Sequence, residues 1–277
     1  MFQYAFAYSY SVRNSIETKY FFFDYNSHRE LLIEDFQIKL RKAKPIEILK
    51  SKFNLPFLGT DINSFLSKRS EFLKEILIKQ IIIENDLTFS ERYLLPNQTA
   101  KFYEGYWQSY KYFKNIQDEL RKHFKLKLIW PETYVIASDI NKHVAISIHV
   151  RRGDYLKKMG FHKLQEIKYY QKAIDYINSK IYSSCKFYFF SDDLDWVEKN
   201  FKNLENKYLI KFEKDLSESQ EIHLMSLCNH NIISNSTFSW WGAWLNTHTD
   251  KMIIGPKEWY ITNNKLDDLI PPEWKLI

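Results

Sequence analysis

Short apolar strands alternate with helical segments through the second half of the chain, and this alternation restricts the fold more than any other feature. Residues 144–150 (VAISIHV) form a β-rich apolar run, the pattern of a strand buried on both faces of a sheet. Apolar side chains then recur at helical spacing over 164–182. Further strands are predicted at 186–190, 208–212, 231–234 and 252–255, with helices between them. Strands separated by helices pair in parallel, so a Rossmann-like domain is predicted here.

The first half has a less regular pattern. It predicts an aromatic-rich helix over 2–12, a buried strand at 20–23, helical segments over 46–90, a strand at 101–106 and a helix from Ser109 to Phe124. Trp130-Pro131 marks a boundary, because proline restricts the residue before it and interrupts regular structure. We therefore predict an α/β protein of two lobes, over residues 1–130 and 131–277.

Composition excludes several classes of protein. Hydrophobic residues make up 45% of the chain, which suffices for a substantial core and argues against disorder. The net charge of +6 is spread along the chain without a basic run, so no nucleic-acid partner is expected. Cys185 and Cys228 fit reduced thiols, and neither a secretory signal nor a membrane-spanning stretch is visible. A cytoplasmic protein is predicted, with peripheral association with the inner membrane and the oligomeric state left open.

Three polar clusters fall at the ends of predicted parallel strands. They are 149–154 (HVRRGD), 191–193 (SDD) and 234–239 (SNSTFS). Ligands of open parallel sheets bind beyond the carboxyl ends of the strands, so we expect the clusters to converge on one site. Guanidinium groups match phosphate oxygens, and hydroxyls and amides ahead of a helix also receive them. The clusters therefore predict a phosphorylated ligand.

Each cluster also has a purely structural interpretation. The arginines could form a salt-bridged surface turn, and Asp193 could cap a helix. We assign the tryptophans that follow Ser239 mainly to the core, and the hydroxyls of their cluster to ligand binding. Asp193-Leu194-Asp195 also matches the pattern by which some transferases hold a divalent metal and a diphosphate. A lone aspartate at a strand end can instead accept hydrogen bonds from guanine, and we prefer that role for Asp193.

Together with two segments of the first half, the clusters resemble the bacterial α-1,2-fucosyltransferases, glycosyltransferase family eleven. The matching segments, in the family's order, are 1–7 (MFQYAFA), 105–109 (GYWQS) with 111–113 (KYF), 149–155 (HVRRGDY), 190–193 (FSDD) and 234–241 (SNSTFSWW). The resemblance covers nearly the whole chain. It implies two Rossmann-like lobes facing a crevice, the GT-B type, with the acceptor on the amino-terminal side and the donor on the carboxyl-terminal side.

The resemblance also implies an activity: inverting, metal-independent transfer of L-fucose from GDP-β-L-fucose to the 2-hydroxyl of a terminal galactoside, in surface glycan or O-antigen synthesis. No cofactor and no metal are expected. His149 and Arg151 should face GDP, with Arg151 on the diphosphate, and Asp193 should contact guanine. Phosphate contacts are expected from hydroxyls among Ser236, Thr237 and Ser239.

The roles in catalysis follow from charge. Negative charge grows on the departing GDP, and Arg151 should stabilise it. The acceptor hydroxyl needs a proton acceptor, for which Asp154 is the candidate, with orientation of the arginines as its alternative role. Tyr106, Trp107 and Gln108 are candidate acceptor contacts, and packing in an aromatic core is their alternative role.

One departure from the family's pattern concerns the amino terminus. The family pattern begins with a strand and a Gly-Gly-x-Gly-Asn-Gln loop, whereas this sequence starts at the following Met-Phe-Gln. We expect the 277-residue chain to be less stable than a version extended upstream, and to be weakly active or inactive. Two other functions stay open from the sequence: a metal-dependent transferase that uses Asp193 and Asp195 with another nucleotide sugar, and a protein that binds GDP or glycan without turnover.

Overall fold

The computed structural model describes residues 1–20, 32–44, 81–96, 102–153, 163–212, 218–261 and 266–277. Contacts divide the chain into two compact units, Met1–Arg29 with Lys39–Leu120 and Glu30–Ile38 with Arg121–Ile277. The second unit thus takes in ten residues before the predicted boundary and one distant segment. That segment is held by an edge-on contact of Phe36 with Phe124, at 5.8 Å between centroids, and by the Asp35 carboxylate, which accepts a 2.6 Å hydrogen bond from Ser219.

The first unit has a two-stranded parallel sheet. Helix α1 (Phe2–Asn14) precedes strands β1 (Ile81–Ile83) and β2 (Phe102–Glu104), which pair with Ile82 opposite Tyr103. The helix predicted over 2–12 and the strand predicted at 101–106 are confirmed. The prediction of helix is wrong over 81–90: residues 81–83 are three β-branched isoleucines and form a strand, and residues 84–90 form no helix. The predictions for 21–23 and 46–80 lie outside the described residues.

The helix predicted from Ser109 to Phe124 is also wrong over its first half. The chain forms two 3-10 turns, Tyr110–Tyr112 and Lys114–Ile116, before helix α2 (Gln117–His123) begins. The Ser109 hydroxyl accepts a hydrogen bond from the Lys111 amide, a local contact that competes with regular helix. Phe113 is fully buried with φ −133°, which interrupts the helix before α2.

The second unit is built around a six-stranded parallel sheet. Its elements, in chain order, are α3 (Pro131–Ile140), β3 (Val144–Val150), α4 (Ile167–Asn178), β4 (Cys185–Ser191), α5 (Leu194–Asn200), β5 (Lys207–Leu209), α6 (Glu218–Leu227), β6 (His230–Ile232), α7 (Thr237–Leu245), β7 (Ile253–Gly255) and β8 (Lys275–Leu276). The sheet order is β5-β4-β3-β6-β7-β8, with every pairing parallel. This is the strand order of a Rossmann fold, and it reverses between β3 and β6.

The predicted α/β fold class with a parallel sheet is confirmed, and the strands predicted at 144–150, 186–190, 208–212, 231–234 and 252–255 all have counterparts. Helix α3 and strand β8 were not predicted from the sequence. Pro131 begins α3 at a position where the missing amide costs nothing, so the residue taken as a breaker is a helix start. The arrangement of two lobes across a crevice stays a prediction.

Burial explains why the sheet is rigid at its centre. Ile146, Ile148 and Val150 of β3 are fully buried, and each such side chain contributes roughly 1.5–3 kcal/mol through the hydrophobic effect. Trp240 and Trp241 of α7 are also buried, and the Trp240 indole N–H donates to the Leu269 carbonyl at 2.9 Å. The structural role predicted for the tryptophans is thereby confirmed. None of the helices in the described ranges is both long and apolar enough to cross a membrane.

Candidate active site

A hydrogen bond joins the two strands at which the sheet order reverses. Nδ1 of His149, near the end of β3, lies 2.8 Å from the hydroxyl oxygen of Ser234, just beyond β6. Both side chains are buried, and the His149 ring also contacts Phe238. Burial, together with the charge of Arg151, lowers the pKa of His149 to about 3. His149 is therefore a neutral hydrogen-bonding group at physiological pH, and it supplies no positive charge for a phosphate.

Asp192 organises the polar turn after β3. Its Oδ2 lies 3.1 Å from Nη1 of Arg151 and accepts a 3.0 Å hydrogen bond from the Gly153 amide, while its Oδ1 accepts the Arg152 amide at 2.8 Å. One carboxylate thus holds the Arg151 guanidinium and fixes the backbone of the next two residues. Asp192 belongs to one of the polar clusters that the sequence shows, but this role was not predicted. Its position at the end of the strand beside β3 was the available signal.

Gly153 allows this close approach. A Cβ atom at Gly153 would lie 2.9 Å from Oδ2 and 3.2 Å from Cγ of Asp192. Contacts of 2.9 Å would require the carboxylate to move, although it is held by three partners. The glycine is therefore needed where the turn meets Asp192.

The Arg152 side chain packs against other protein side chains. Its Nε donates to Oδ2 of Asp193 at 3.1 Å, and its Cζ lies 4.3 Å from the centroid of the Trp196 ring. Only 14% of the Arg152 side chain is exposed, compared with 27% for Arg151. The more accessible guanidinium, at Arg151, is the one suited to a ligand.

Asp193 caps α5. Its Oδ1 accepts the Trp196 amide at 3.1 Å, so that both carboxylate oxygens are engaged by protein groups. Asp195 follows in the first turn of the helix and is exposed. Within the described ranges, no group of three or more His, Cys, Asp or Glu residues is arranged to hold a metal. Asp193 therefore has a structural role as the cap of α5 and the partner of Arg152, and its contact with guanine stays a prediction.

The third cluster forms a rigid entry to α7. Asn235 is buried, and its side-chain amide donates to the carbonyls of Lys163 and Trp259 at 2.7 and 2.8 Å. Ser236 begins the helix without a side-chain capping bond, which leaves its hydroxyl outside the helix's own network. The first amides of any helix lack intrahelical acceptors and favour an anion. This entry lies beyond the carboxyl end of β6, at the same edge of the sheet as Arg151, which directly follows β3.

The predicted hydroxyl contacts separate into two kinds. Ser236 and Thr237 stand at the start of α7, where Ser236 is 9% exposed and Thr237 is partly exposed. Ser239 is fully buried, and its hydroxyl lies 3.2 Å from the Ser236 carbonyl oxygen. Ser236 and Thr237 are thus placed to meet a ligand more readily than Ser239 is.

Three predicted site residues remain: Asp154, Tyr106 and Gln108. Asp154 is outside the described residues. Tyr106 and Gln108 belong to the first unit, where the Tyr106 side chain is 68% exposed and Gln108 is half-buried. Trp107 between them is 2% exposed and packs in an aromatic cluster with Phe6 and Tyr112. The alternative role of packing in an aromatic core is therefore confirmed for Trp107, whereas Tyr106 is exposed.

Residues 1–277 match the profile of Glycosyl transferase family 11. The chain belongs to this family. It is 43% identical to an O-antigen biosynthesis glycosyltransferase, WbnK, of Escherichia coli over 43% of this chain and 40% of the relative. It is 32% identical to an α-1,2-colitosyltransferase of Escherichia coli, over 56% of this chain and 55% of the relative.

A mammalian relative is more distant. The chain is 28% identical to galactoside 2-α-L-fucosyltransferase Sec1 of Mus musculus, over 66% of this chain and 53% of that protein. The chain therefore spans about half the length of the curated relatives it matches, at 40%, 55% and 53%. The resemblance to glycosyltransferase family eleven that the sequence motifs indicated is confirmed.

Proposed function

We propose that this protein transfers L-fucose from GDP-β-L-fucose to the 2-hydroxyl of a terminal galactoside, with inversion at the anomeric carbon. The observation that supports it most is the placement of Arg151 and the start of α7 at the strand-order reversal of a Rossmann sheet, in a member of Glycosyl transferase family 11. Two relatives support the α-1,2 linkage by their names, one a colitosyltransferase and one a galactoside fucosyltransferase. Because these two names differ in the sugar that is transferred, the donor of this chain must be tested directly.

The charges at this edge suit a departing nucleoside diphosphate. An inverting transfer displaces GDP in one step, so negative charge grows on its terminal phosphate as the bond to the sugar breaks. Arg151 offers a guanidinium that is 27% exposed and oriented by Asp192, and α7 offers its first amides. Groups that are fixed before the charge develops stabilise a transition state most effectively.

We propose that the reaction needs no metal. The pair that could hold one begins with Asp193, whose two oxygens accept hydrogen bonds from Arg152 and from the Trp196 amide. A cation bound there would have to displace both. Arg151 and the amides of α7 provide positive charge without it. No other cofactor is proposed.

We propose Asp154 as the general base that accepts the proton of the acceptor hydroxyl. Its alternative role was to orient the arginines, and Asp192 already orients Arg151 and fixes the Arg152 amide. The sequence places Asp154 directly after Gly153, so it follows the turn that carries the proposed diphosphate contact.

The experiment is a transfer assay on the purified chain. GDP-fucose is offered with galactose linked to glucose, N-acetylglucosamine or N-acetylgalactosamine, in buffer with and without EDTA, and the product linkage is read by NMR. We expect an α-1,2-linked fucoside that forms equally in EDTA. Activity that disappears in EDTA and returns with Mn²⁺ would favour the metal-dependent alternative. GDP binding by calorimetry without transfer to any acceptor would favour a binding protein.

A further inference from the structure

A strained turn follows the second strand of the first unit. Trp107 has φ 55°, in the left-handed region that a bulky aromatic residue rarely adopts. Its side chain is nevertheless fixed, because it is 2% exposed and stacks on Phe6 with ring centroids 4.0 Å apart and planes 6° from parallel. Strained backbone that the surrounding structure enforces is concentrated at functional sites.

Glu84 holds this turn from the neighbouring strand. It directly follows β1, and its Oε2 accepts hydrogen bonds from the amides of Tyr106 and Trp107, at 2.7 and 2.9 Å. Burial raises the pKa of the Glu84 carboxyl, and these two bonds oppose that rise. Its Oε1 is buried and has no hydrogen-bond partner among the described residues. Burying part of a carboxyl group costs free energy of folding, and this indicates that the position of the turn matters.

Gly105 completes the arrangement. A Cβ atom at Gly105 would lie 2.6 Å from Cβ of Glu84, so only glycine fits against that side chain. On the other side of the turn, the Gln3 side-chain amide donates to the Gly105 carbonyl at 2.9 Å. The backbone is thus held by Gln3, Glu84 and the buried Trp107.

The residue that this turn presents is Tyr106. Its side chain is 68% exposed although both neighbours in the chain are fixed. It follows β2 and lies beside the residue that follows β1, which puts it at the carboxyl edge of a parallel sheet, where ligands bind. A tyrosine on a fixed backbone offers a ring face and a hydroxyl, and only its two side-chain torsions remain to be ordered when a ligand binds.

We propose that Tyr106 forms the binding platform for the acceptor sugar, with its ring against the apolar C–H face of a hexopyranose, and that Glu84 is the positioning residue that fixes the backbone carrying this ring. The inference rests on the proposed function, because it assigns the acceptor side of the same reaction. It separates Tyr106 from Trp107, since only the first can meet a ligand. It also gives Glu84 a role in recognition of the acceptor sugar, although Glu84 belongs to none of the sequence motifs.

The test separates acceptor recognition from donor binding. Initial rates are measured with GDP-fucose and whichever of lactose, N-acetyllactosamine and galacto-N-biose the unmodified protein uses fastest. Tyr106→Ala should raise the KM for that acceptor by about tenfold, the loss expected from one aromatic contact. Tyr106→Phe should retain most of the affinity. The affinity for GDP, measured by calorimetry, should be unchanged in both variants.

The positioning role is tested by a graded pair. Glu84→Ala removes both hydrogen bonds to the turn and should raise the acceptor KM as Tyr106→Ala does. Glu84→Gln keeps a carbonyl oxygen that can accept from the Tyr106 and Trp107 amides, and it should recover part of that loss. Tyr134→Ala is the matched control, because Tyr134 is 71% exposed and lies in the second unit. It should change no kinetic constant.

The outcomes are distinct. If the unmodified protein transfers fucose but Tyr106→Ala keeps the acceptor KM within twofold, the inference is overturned. An equal rise in the KM for GDP-fucose and for the acceptor would overturn it as well. If the unmodified protein transfers nothing to any galactoside, the proposed function itself fails. Should Glu84→Ala not fold, as judged by its thermal midpoint, Tyr106→Ala and Glu84→Gln still decide the question.

Discussion

His149 Nδ1 and the Ser234 hydroxyl are 2.8 Å apart, across the point where the strand order of the second unit reverses. The contact ties the end of β3 to the end of β6, the two strands that deliver Arg151 and the entry to α7. It is buried and involves a neutral imidazole. The geometry of the proposed donor site therefore depends on a hydrogen bond that is sensitive to protonation.

The buried imidazole makes folding stability depend on pH. The pKa of His149 falls from 6.5 to about 3 on folding, so below pH 6.5 the unfolded chain binds a proton that the folded chain does not. The free energy of unfolding therefore decreases as the pH falls from 6.5 towards 3. Between pH 7.5 and 5.5 this group should cost about 1.4 kcal/mol.

The measurement is urea denaturation at pH 7.5 and 5.5 for the unmodified protein and for His149→Asn, which keeps a hydrogen-bonding group near Ser234. The unmodified protein should lose about 1.4 kcal/mol more than the variant between the two pH values. Equal losses would show that His149 is not held neutral by burial.

Asp192 should matter for donor binding although it need not touch the donor. Asp192→Asn removes the charge that pairs with Arg151 and one of the acceptors for the turn, and Asp192→Ala removes every contact. We expect GDP affinity to fall about tenfold in the first variant and further in the second, because Arg151 loses its orientation. Calorimetry measures this.

The control for this pair is Asp175→Asn, on the exposed surface of α4. It should bind GDP as the unmodified protein does. Tighter binding of GDP by Asp192→Ala would mean that Asp192 competes with the phosphates for Arg151, contrary to the role assigned here.

Gly153 provides a steric test of the same turn. Gly153→Ala puts a Cβ atom 2.9 Å from Asp192 Oδ2, whereas Gly255→Ala meets its first neighbour, Cδ2 of Leu276, at 3.4 Å. The first substitution should weaken GDP binding about tenfold by displacing Asp192, and the second should leave it unchanged. Equal GDP affinities in the two variants would argue against a close fit at Gly153.

The fold of the second unit could be predicted because its strands are continuous apolar runs with helical spacing between them. The strand at 144–150 was predicted with its observed bounds, because a strand that is buried on both faces of a sheet appears in the sequence as a continuous apolar run. In the first unit the signal is weaker. The strands there are three residues long, and Ile81–Ile83 carries no periodicity that separates a strand from a helix.

The site could be predicted in part for a related reason. Polar residues at strand ends are visible in sequence, so the convergence of Arg151 and the SNSTFS segment on one edge could be anticipated. The role of each individual side chain could not be predicted from the sequence. Whether Asp192 or Asp193 holds Arg151 depends on side-chain direction, and the carboxylate of Glu84 reaches residues 22 and 23 positions away through strand pairing.

The most direct test of the central claim is calorimetric binding of GDP and GMP to Arg151→Ala. The claim is that Arg151 contacts the diphosphate, so the unmodified protein should prefer GDP to GMP, and the variant should lose about 100-fold in GDP affinity and most of that preference. Arg13→Ala removes a surface arginine paired with Glu91 and should bind both nucleotides normally. A folded Arg151→Ala that binds GDP as tightly as the unmodified protein, with the preference over GMP intact, would contradict the account.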